Sequence, residues 1–297
     1  MNVVSDFLNL VRYKNLLIII LTQFIIKYVL INPHISSYNL NNFNFSLLVI
    51  STILIAGAGN IVNDYFDIKI DQFNQRKIII GETIKRRIAI ILHLLFSIVG
   101  IIIGFYLSYK IELTFLGFIN LFCVVSLWFY STTFKRKPVV GNLLIAFLSA
   151  LVLIVIPLYD LLPILNEESL AVITKVSFYV FFAFFFSFIR EIIKDLEDID
   201  GDFKAGLKTF AITLGIKRTK KVLKILTVFM LFVFLYLITL FYPSDYFTFF
   251  YLLLLVTTPL FIFFILLFKS ETKKEFSILS MLLKLIMLSG IFSMFII

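Results

Sequence analysis

The sequence predicts an all-α, polytopic membrane protein with nine transmembrane helices. Three observations carry that reading. The 297 residues are 61% hydrophobic and only 15% charged, whereas soluble domains carry about 25% charged residues. Mean hydropathy is +1.05. Apolar segments fall at 15–31, 45–63, 88–109, 112–131, 139–159, 171–193, 222–242, 246–268 and 276–296, each near the roughly 17–25 residues that cross a bilayer core.

The first segment follows Arg12 and Lys14 and has no small-residue cleavage site after it, so it is expected to stay in place as a membrane helix. Positive charge then alternates along the chain. Arg76, Lys77, Lys85, Arg86 and Arg87 follow the second segment, and Lys135, Arg136 and Lys137 follow the fourth. Lys204, Lys208, Lys217, Arg218, Lys220 and Lys221 follow the sixth, and Lys269, Lys273 and Lys274 follow the eighth. The intervening loops are nearly free of Lys and Arg, which places the N-terminus in the cytoplasm and the C-terminus outside, in what we expect to be a bacterial plasma membrane. The net charge of +9 lies between apolar runs rather than on a polar domain, which argues against nucleic acid as a partner. Cys123 is the only cysteine, so no intrachain disulfide or Cys-based metal site exists. It lies in an apolar run and is expected to be a buried small hydrophobe. Two histidines, His34 and His93, are too few for a His-rich metal centre.

Two Asp patterns punctuate this chain. Asp64, Asp67 and Asp71 end the second segment, with Asn60 one turn before them. Asp195, Asp198 and Asp202 end the sixth, with Glu191 one turn before. Both step by three and then four residues, which on a helix puts all three carboxylates on one face. Asp64 to Asp195 and Asp71 to Asp202 are both 131 residues. The equal interval suggests one domain, 1–297, built as a pseudo-repeat of helices one to four and five to eight, with the ninth left over. Stacked carboxylates repel, and at the end of an apolar run an uncompensated charge costs more. The alternative is that each run is a solvated helix end, but two copies at one spacing argue for a shared cation. Hard oxygen ligands suit Mg²⁺ with substrate phosphates. Arg76 and Lys77 follow the first Asp run, Arg190 and Lys194 lie in or just before the second and Lys204 follows it, and all are suited to phosphate. Arg190 also falls inside an apolar register, where a charge is usually functional. Together these point to a central cavity with an Asp-rich active site on the cytoplasmic side and an apolar channel for a lipid-soluble diphosphate.

Asn63, Asp64, Asp67 and Asp71 form an NDxxDxxxD stretch that resembles the first motif of the UbiA superfamily of intramembrane prenyltransferases, and the second Asp run resembles that superfamily's second motif. Nine helices with both motifs cytoplasmic is also its architecture. Ala56 to Asp67, Arg190 to Thr209, and Tyr130 with Lys135 to Asn142 are similar to geranylgeranylglycerol-phosphate geranylgeranyltransferases. The resemblance implies Mg²⁺-dependent transfer of a polyprenyl group, geranylgeranyl by preference, from its diphosphate to the hydroxyl of a prenylglycerol phosphate. It implies Asp64, Asp67, Asp195 and Asp198 as catalytic residues, Asp64 and Asp195 as members of the Mg²⁺–diphosphate shell, and Asp67, Asp71, Asp198 and Asp202 as metal ligands. Asn63, Arg76, Lys135, Arg190, Lys194 and Tyr130 would serve the diphosphate. Tyr130 either faces the cation formed in the reaction or is an interfacial aromatic at a helix end. Lys208 and Thr209 are expected to order the loop after the sixth helix. One departure is Asn74 to Ile78, which lacks the Pro of the related stretch and is shorter. An aromatic acceptor, 4-hydroxybenzoate or dihydroxynaphthoate, is the second reading, and a transporter with an inverted repeat is the third. The oligomeric state is left open.

Overall fold

The computed structural model describes residues 3–35 and 38–296. Among them, nine helices are long and apolar enough to cross a membrane: Tyr13–Ile31, Asn42–Phe73, Arg86–Lys110, Thr114–Thr132, Val140–Asp160, Glu167–Glu197, Ile216–Phe241, Tyr246–Lys269 and Lys273–Phe295. We call these the first to ninth spans. The chain is an all-α integral membrane protein. The second and sixth spans, at 32 and 31 residues, overrun the apolar segments that announce them. Their charged ends stay helical because the carboxylates there find partners.

Several helix ends follow from local chemistry. The Asn41 side chain accepts from Asn44 N at 2.9 Å and starts the second span. Thr272 and Glu275 form a capping box that starts the ninth. Asp245 accepts from the amides of Phe247 and Thr248 to start the eighth, and Thr248, through its side chain first and then its amide, holds the carboxyl below the usual range. Pro259 in the eighth span has no N–H to donate, and the turn before it, Leu253–Thr257, widens to a π-helix.

The chain divides into two compact units, Met1–Lys135 with Ala150–Val180, and Arg136–Ser149 with Phe181–Ile297. In the first, the second, third and fourth spans pack on one another through small residues. A β-carbon at Gly59 would lie 2.7 Å from Leu127, and one at Gly100 would lie 2.6 Å from Ile55. The Gly100 carbonyl accepts from Ser51 Oγ at 2.8 Å and Asn120 Nδ2 at 3.1 Å, so the close approach is pinned by hydrogen bonds. Cys123, expected to be buried, is half-buried in the fourth span.

In the second unit a Phe-rich run, Phe181 to Phe186, packs into or against the core. Phe186 is buried, Phe182 stacks on Phe234 with centroids 4.5 Å apart, and Phe181 lies 4.6 Å from Phe185. Buried Lys220 donates to the carbonyls of Phe268 and Ser270 at 3.1 and 2.7 Å and so caps the end of the eighth span.

Lys27 and Asp160 are both fully buried in the first unit, 2.5 Å apart. Lys27 also donates to the Leu40 carbonyl at 3.0 Å and lies 3.9 Å from the Tyr38 ring centroid, while Asp160 accepts from Leu40 N at 2.8 Å. The pair ties the connection after the first span to the end of the fifth. Removing one member strands a buried charge, so Lys27→Met should cost about 3–5 kcal/mol. Lys27→Met with Asp160→Asn keeps the acceptor for Leu40 N and should recover most of that loss. Thermal unfolding in detergent would check it; equal losses in the two variants would show that the pair carries no such penalty.

Candidate active site

The first motif lies inside one continuous helix, the second span. Asp64, Asp67 and Asp71 share its face, as the spacing predicts. Each carboxylate meets a cation from a different segment. Arg12 approaches Asp64 at 3.0 Å, Lys135 pairs with Asp67, and Arg76 lies 3.7 Å from Asp71. Asp67 is buried and also accepts from Asn63 Nδ2 at 2.8 Å. These contacts offset the repulsion that three stacked carboxylates impose.

The end of this span explains how Arg76 arrives. Gln75 takes the left-handed conformation, φ 57°. Arg76 N then donates back to Asp71 O at 2.9 Å, and Gln75 N to Gln72 O at 3.2 Å. This is a Schellman ending, and it folds Arg76 over Asp71. A side chain at that φ is disfavoured, and the Arg76–Asp71 pair helps to hold it.

The approach of Arg12 is built with similar care. Arg12 is left-handed too, φ 56°, at the start of the first span. Asn60 Nδ2 donates to the Val11 carbonyl at 2.9 Å. Leu10 and Val11 are buried with Ile61, Ile79, Ile80, Ile84 and Ala89. Leu10 ends the short helix Val3–Leu10, whose buried Asp6 accepts from Lys77 and from Thr83 Oγ1, the latter at 2.8 Å. The Lys77 and Thr83 bonds hold the Asp6 carboxyl below its usual range. A lowered pKa means that this tie persists above the ordinary carboxylate pKa and is lost only as acid protonates Asp6. Lys77, which the sequence placed near phosphate, is thus engaged elsewhere. The shortened stretch Asn74 to Ile78 leads into a packed loop, not a loose one.

The second motif departs from the expected single face. The sixth span ends at Glu197, Asp198 leaves helical geometry with φ −100° and ψ 5°, and a short helix, Ile199–Lys204, follows. Asp195 accepts from Asn142 Nδ2 at 3.0 Å and from Phe210 N at 3.2 Å. It thereby joins the start of the fifth span to the short helix Phe210–Leu214. Thr209 precedes that helix without a side-chain cap, and its buried Oγ1 has no hydrogen-bond partner among the described residues. Asp195 holds this loop by hydrogen bonds, and Thr209 contributes its carbonyl, which accepts from Thr213 N at 3.0 Å, and not its hydroxyl. Glu191 accepts from Lys194 at 2.6 Å and lies 3.7 Å from Arg190, whose buried Nε has no hydrogen-bond partner among the described residues. Asp202 is buried, and its carbonyl accepts from Leu207 N at 3.0 Å while Gly206 N donates to Phe203 O. Gly206, φ 70°, closes the same Schellman ending. Gln75 and Gly206 are also 131 residues apart, so the equal interval extends from the carboxylates to the residues that terminate their helices.

Among the described residues no three Asp, Glu, His or Cys side chains gather tightly enough to hold a metal ion. In the first motif the carboxylates are turned to Arg12, Lys135 and Arg76 instead. The donor set nonetheless suits a hard divalent cation. It is all oxygen, and Asn63 Oδ1 is buried with no hydrogen-bond partner among the described residues. Tyr130 is half-buried near the end of the fourth span, five residues before Lys135. Arg12 is the neighbour of the motifs that sequence reasoning did not single out, because it reads as an ordinary topology charge. Asn60 and Asn142 stood in the stretches that sequence reasoning marked, without the partners that the structure gives them.

Comparison with known proteins agrees with this architecture. The profile of the UbiA prenyltransferase family matches residues 28–286. The chain is 33% identical over 186 residues to a digeranylgeranylglyceryl phosphate synthase of Sulfurisphaera tokodaii, covering 62% of this chain and 63% of that one. It is 31% identical over 224 residues to a digeranylgeranylglyceryl phosphate synthase of Methanosarcina mazei, covering 72% of this chain and 73% of that one. The chain thus spans a little under two thirds of the Sulfurisphaera relative. Such relatives are mostly archaeal and lend no support to the expectation of a bacterial membrane. A solved structure of digeranylgeranylglyceryl phosphate synthase in membranes superposes with a TM-score of 0.67 at 22% identity, over 100% of both chains. A UbiA homolog from Archaeoglobus fulgidus bound to GPP and Mg²⁺ gives 0.60 at 16% identity, over 98% of this chain and 100% of that one. At such identities the structures speak for the fold, and the profile, which covers most of the chain, places it in the UbiA prenyltransferase family.

Proposed function

We propose that this chain transfers a polyprenyl group from its diphosphate to the hydroxyl of a prenylglycerol phosphate, forming an ether lipid precursor. The observation that carries the reading is the row of Asn63, Asp67 and Asp71 oxygens on one helix face at the end of an apolar span, with Lys135 and Arg76 at hand. Similarity to digeranylgeranylglyceryl phosphate synthases supports the acceptor. The expected sidedness, N-terminus cytoplasmic and C-terminus outside, belongs to the same proposal.

Asp67, Asp71, Asp198 and Asp202 would hold Mg²⁺, with Asn63 Oδ1 as a further oxygen. Bound there, Mg²⁺ would neutralise phosphate oxygens and make the diphosphate a better leaving group. Lys135 and Arg76 leave their carboxylates for phosphate oxygens, Arg as a fork and Lys as a point charge. Arg190 and Lys194 do the same from the second motif. Asp64 and Asp195 act from one turn further back. Asp64 steers Arg12, and Asp195 fixes the loop through Phe210. The acceptor oxygen bonds to C1 of the prenyl chain as the C1–O bond to diphosphate breaks, and the hydroxyl proton passes to the departing diphosphate. Tyr130 offers an aromatic face to the allylic cation, and the apolar spans keep water from it.

Asp67→Ala and Asp198→Ala should each lower turnover by at least about 10³-fold while the protein still inserts and stays monodisperse. If both motifs serve one diphosphate, the double variant should be no worse than either single one, because residues acting as a unit are not additive. Losses that multiply would separate the motifs. Excess chelator should remove activity and added Mg²⁺ restore it; full turnover in chelator would end the metal assignment. Purified protein with geranylgeranyl diphosphate and a panel of glycerol-phosphate and aromatic acceptors, read by product mass, decides between the two acceptor classes.

A further inference from the structure

We propose that Arg12 is the specificity-determining residue for the acceptor, and that its guanidinium takes the acceptor's phosphate; this rests on the prenyl-transfer reading above. Three cations meet the first motif among the described ion pairs. Lys135 and Arg76 stand at Asp67 and Asp71, the carboxylates assigned to the donor's diphosphate. Arg12 stands at Asp64, one helical turn nearer the apolar part of the span. A phosphate held there lies a turn away from the diphosphate, beside it but not on it.

The segment around Arg12 is constructed to place it. The left-handed backbone at φ 56° is an uncommon conformation for a side-chain-bearing residue, and such outliers cluster at functional sites. Asn60 holds the preceding carbonyl at 2.9 Å. Leu10 and Val11 are buried against Ile61 and the loop Ile79–Ile84, and Asp6 is tied by Lys77 and Thr83. The Arg12 side chain itself is 40% exposed, so a ligand can reach it. A phosphate monoester carries about −1.5 to −2 charge near neutral pH. Brought beside a diphosphate it is repelled, and it needs a cation of its own. A planar guanidinium suits it, since it binds phosphate through two parallel hydrogen bonds. Asp64 keeps that guanidinium oriented until the phosphate competes for it.

The test uses the full chain in detergent with Mg²⁺, geranylgeranyl diphosphate, and two acceptors, geranylgeranylglycerol phosphate and geranylgeranylglycerol. Arg12→Gln should raise KM for the phosphorylated acceptor by roughly 10- to 100-fold, the loss of one charge-assisted contact, with the donor KM unchanged within about twofold. The preference for the phosphorylated over the unphosphorylated acceptor should fall by the same factor, and Arg12→Lys should recover part of it. Without metal or donor, the phosphorylated acceptor should raise the melting temperature of the native protein and not of Arg12→Gln. Equal rises in both KM values, a fall in kcat alone, or an unchanged acceptor preference would each overturn the assignment. Where Arg12→Gln does not fold, Arg12→Lys decides: an acceptor KM equal to the native value overturns the assignment, and a raised one supports it. Turnover by the native protein with aromatic acceptors only would overturn the glycerol-phosphate reading as well. Turnover with the phosphorylated acceptor but no effect of Arg12 overturns this inference alone.

Discussion

Charge matching, one carboxylate to one cation, is the constraint on which the first motif depends. Three Asp on a single helix face at the end of an apolar span repel one another and are poorly hydrated there. Arg12, Lys135 and Arg76 answer them from the start of the first span, the end of the fourth and the end of the second. Because those cations come from separate segments, the electrostatics also fix the chain. The carboxylates draw the amino-terminal segment and the loop after the fourth span to one helix face. The 32-residue length of the second span follows from the same pairing, since the charged turns need not unwind to find water.

The second motif meets the same problem by another route. Its helix breaks at Asp198, so its carboxylates are divided between the end of the long sixth span and the short helix Ile199–Lys204 instead of sharing one face. Asp195 uses one oxygen, Oδ2, on both Asn142 and the Phe210 amide, which makes it part of the scaffold as much as of any site. Both motifs nonetheless end alike. Asp71 and Asp202 occupy the same place before a left-handed residue, Gln75 in one and Gly206 in the other. Glycine accepts that conformation without a steric penalty and glutamine does not. The Arg76–Asp71 pair lies at the glutamine, where added support is needed.

How far the chain could be read from sequence varies by element. The nine spans were legible because bilayer thickness sets their length and apolar composition marks them. The ends of the second and sixth were not, because hydropathy registers Asp and Lys as loop and cannot register that they pair. The face shared by Asp64, Asp67 and Asp71 was legible from a three-and-four spacing. The break at Asp198 was not, since the same spacing holds through it. Pairings across long sequence separations were hidden throughout, among them Arg12 with Asp64 and Asn142 with Asp195. Lys27 with Asp160 left a faint trace, as lone opposite charges at the ends of two apolar runs are each costly. The motif spacing carried no information on Asp6, which took Lys77 away from its expected place near phosphate.

The excess of Lys and Arg between the spans shows why a topology rule underdetermines function. That rule sorts charges by membrane side and treats them as equivalent. In the structure they divide by burial and partner. Lys217, Arg218 and Lys221 stay exposed, as a topology signal alone requires. Lys220, between them, is buried and closes the eighth span. Lys135, Arg76 and Arg12 meet carboxylates that a substrate and its metal would need. The first motif is therefore matched in charge before any ligand arrives. On the proposed function an anionic ligand would enter by exchange, with cations passing from carboxylate to phosphate and the carboxylates turning to metal. The metal's own charge would offset that of the diphosphate, so net charge in the site would change little and neither sign would be stranded at the edge of an apolar medium.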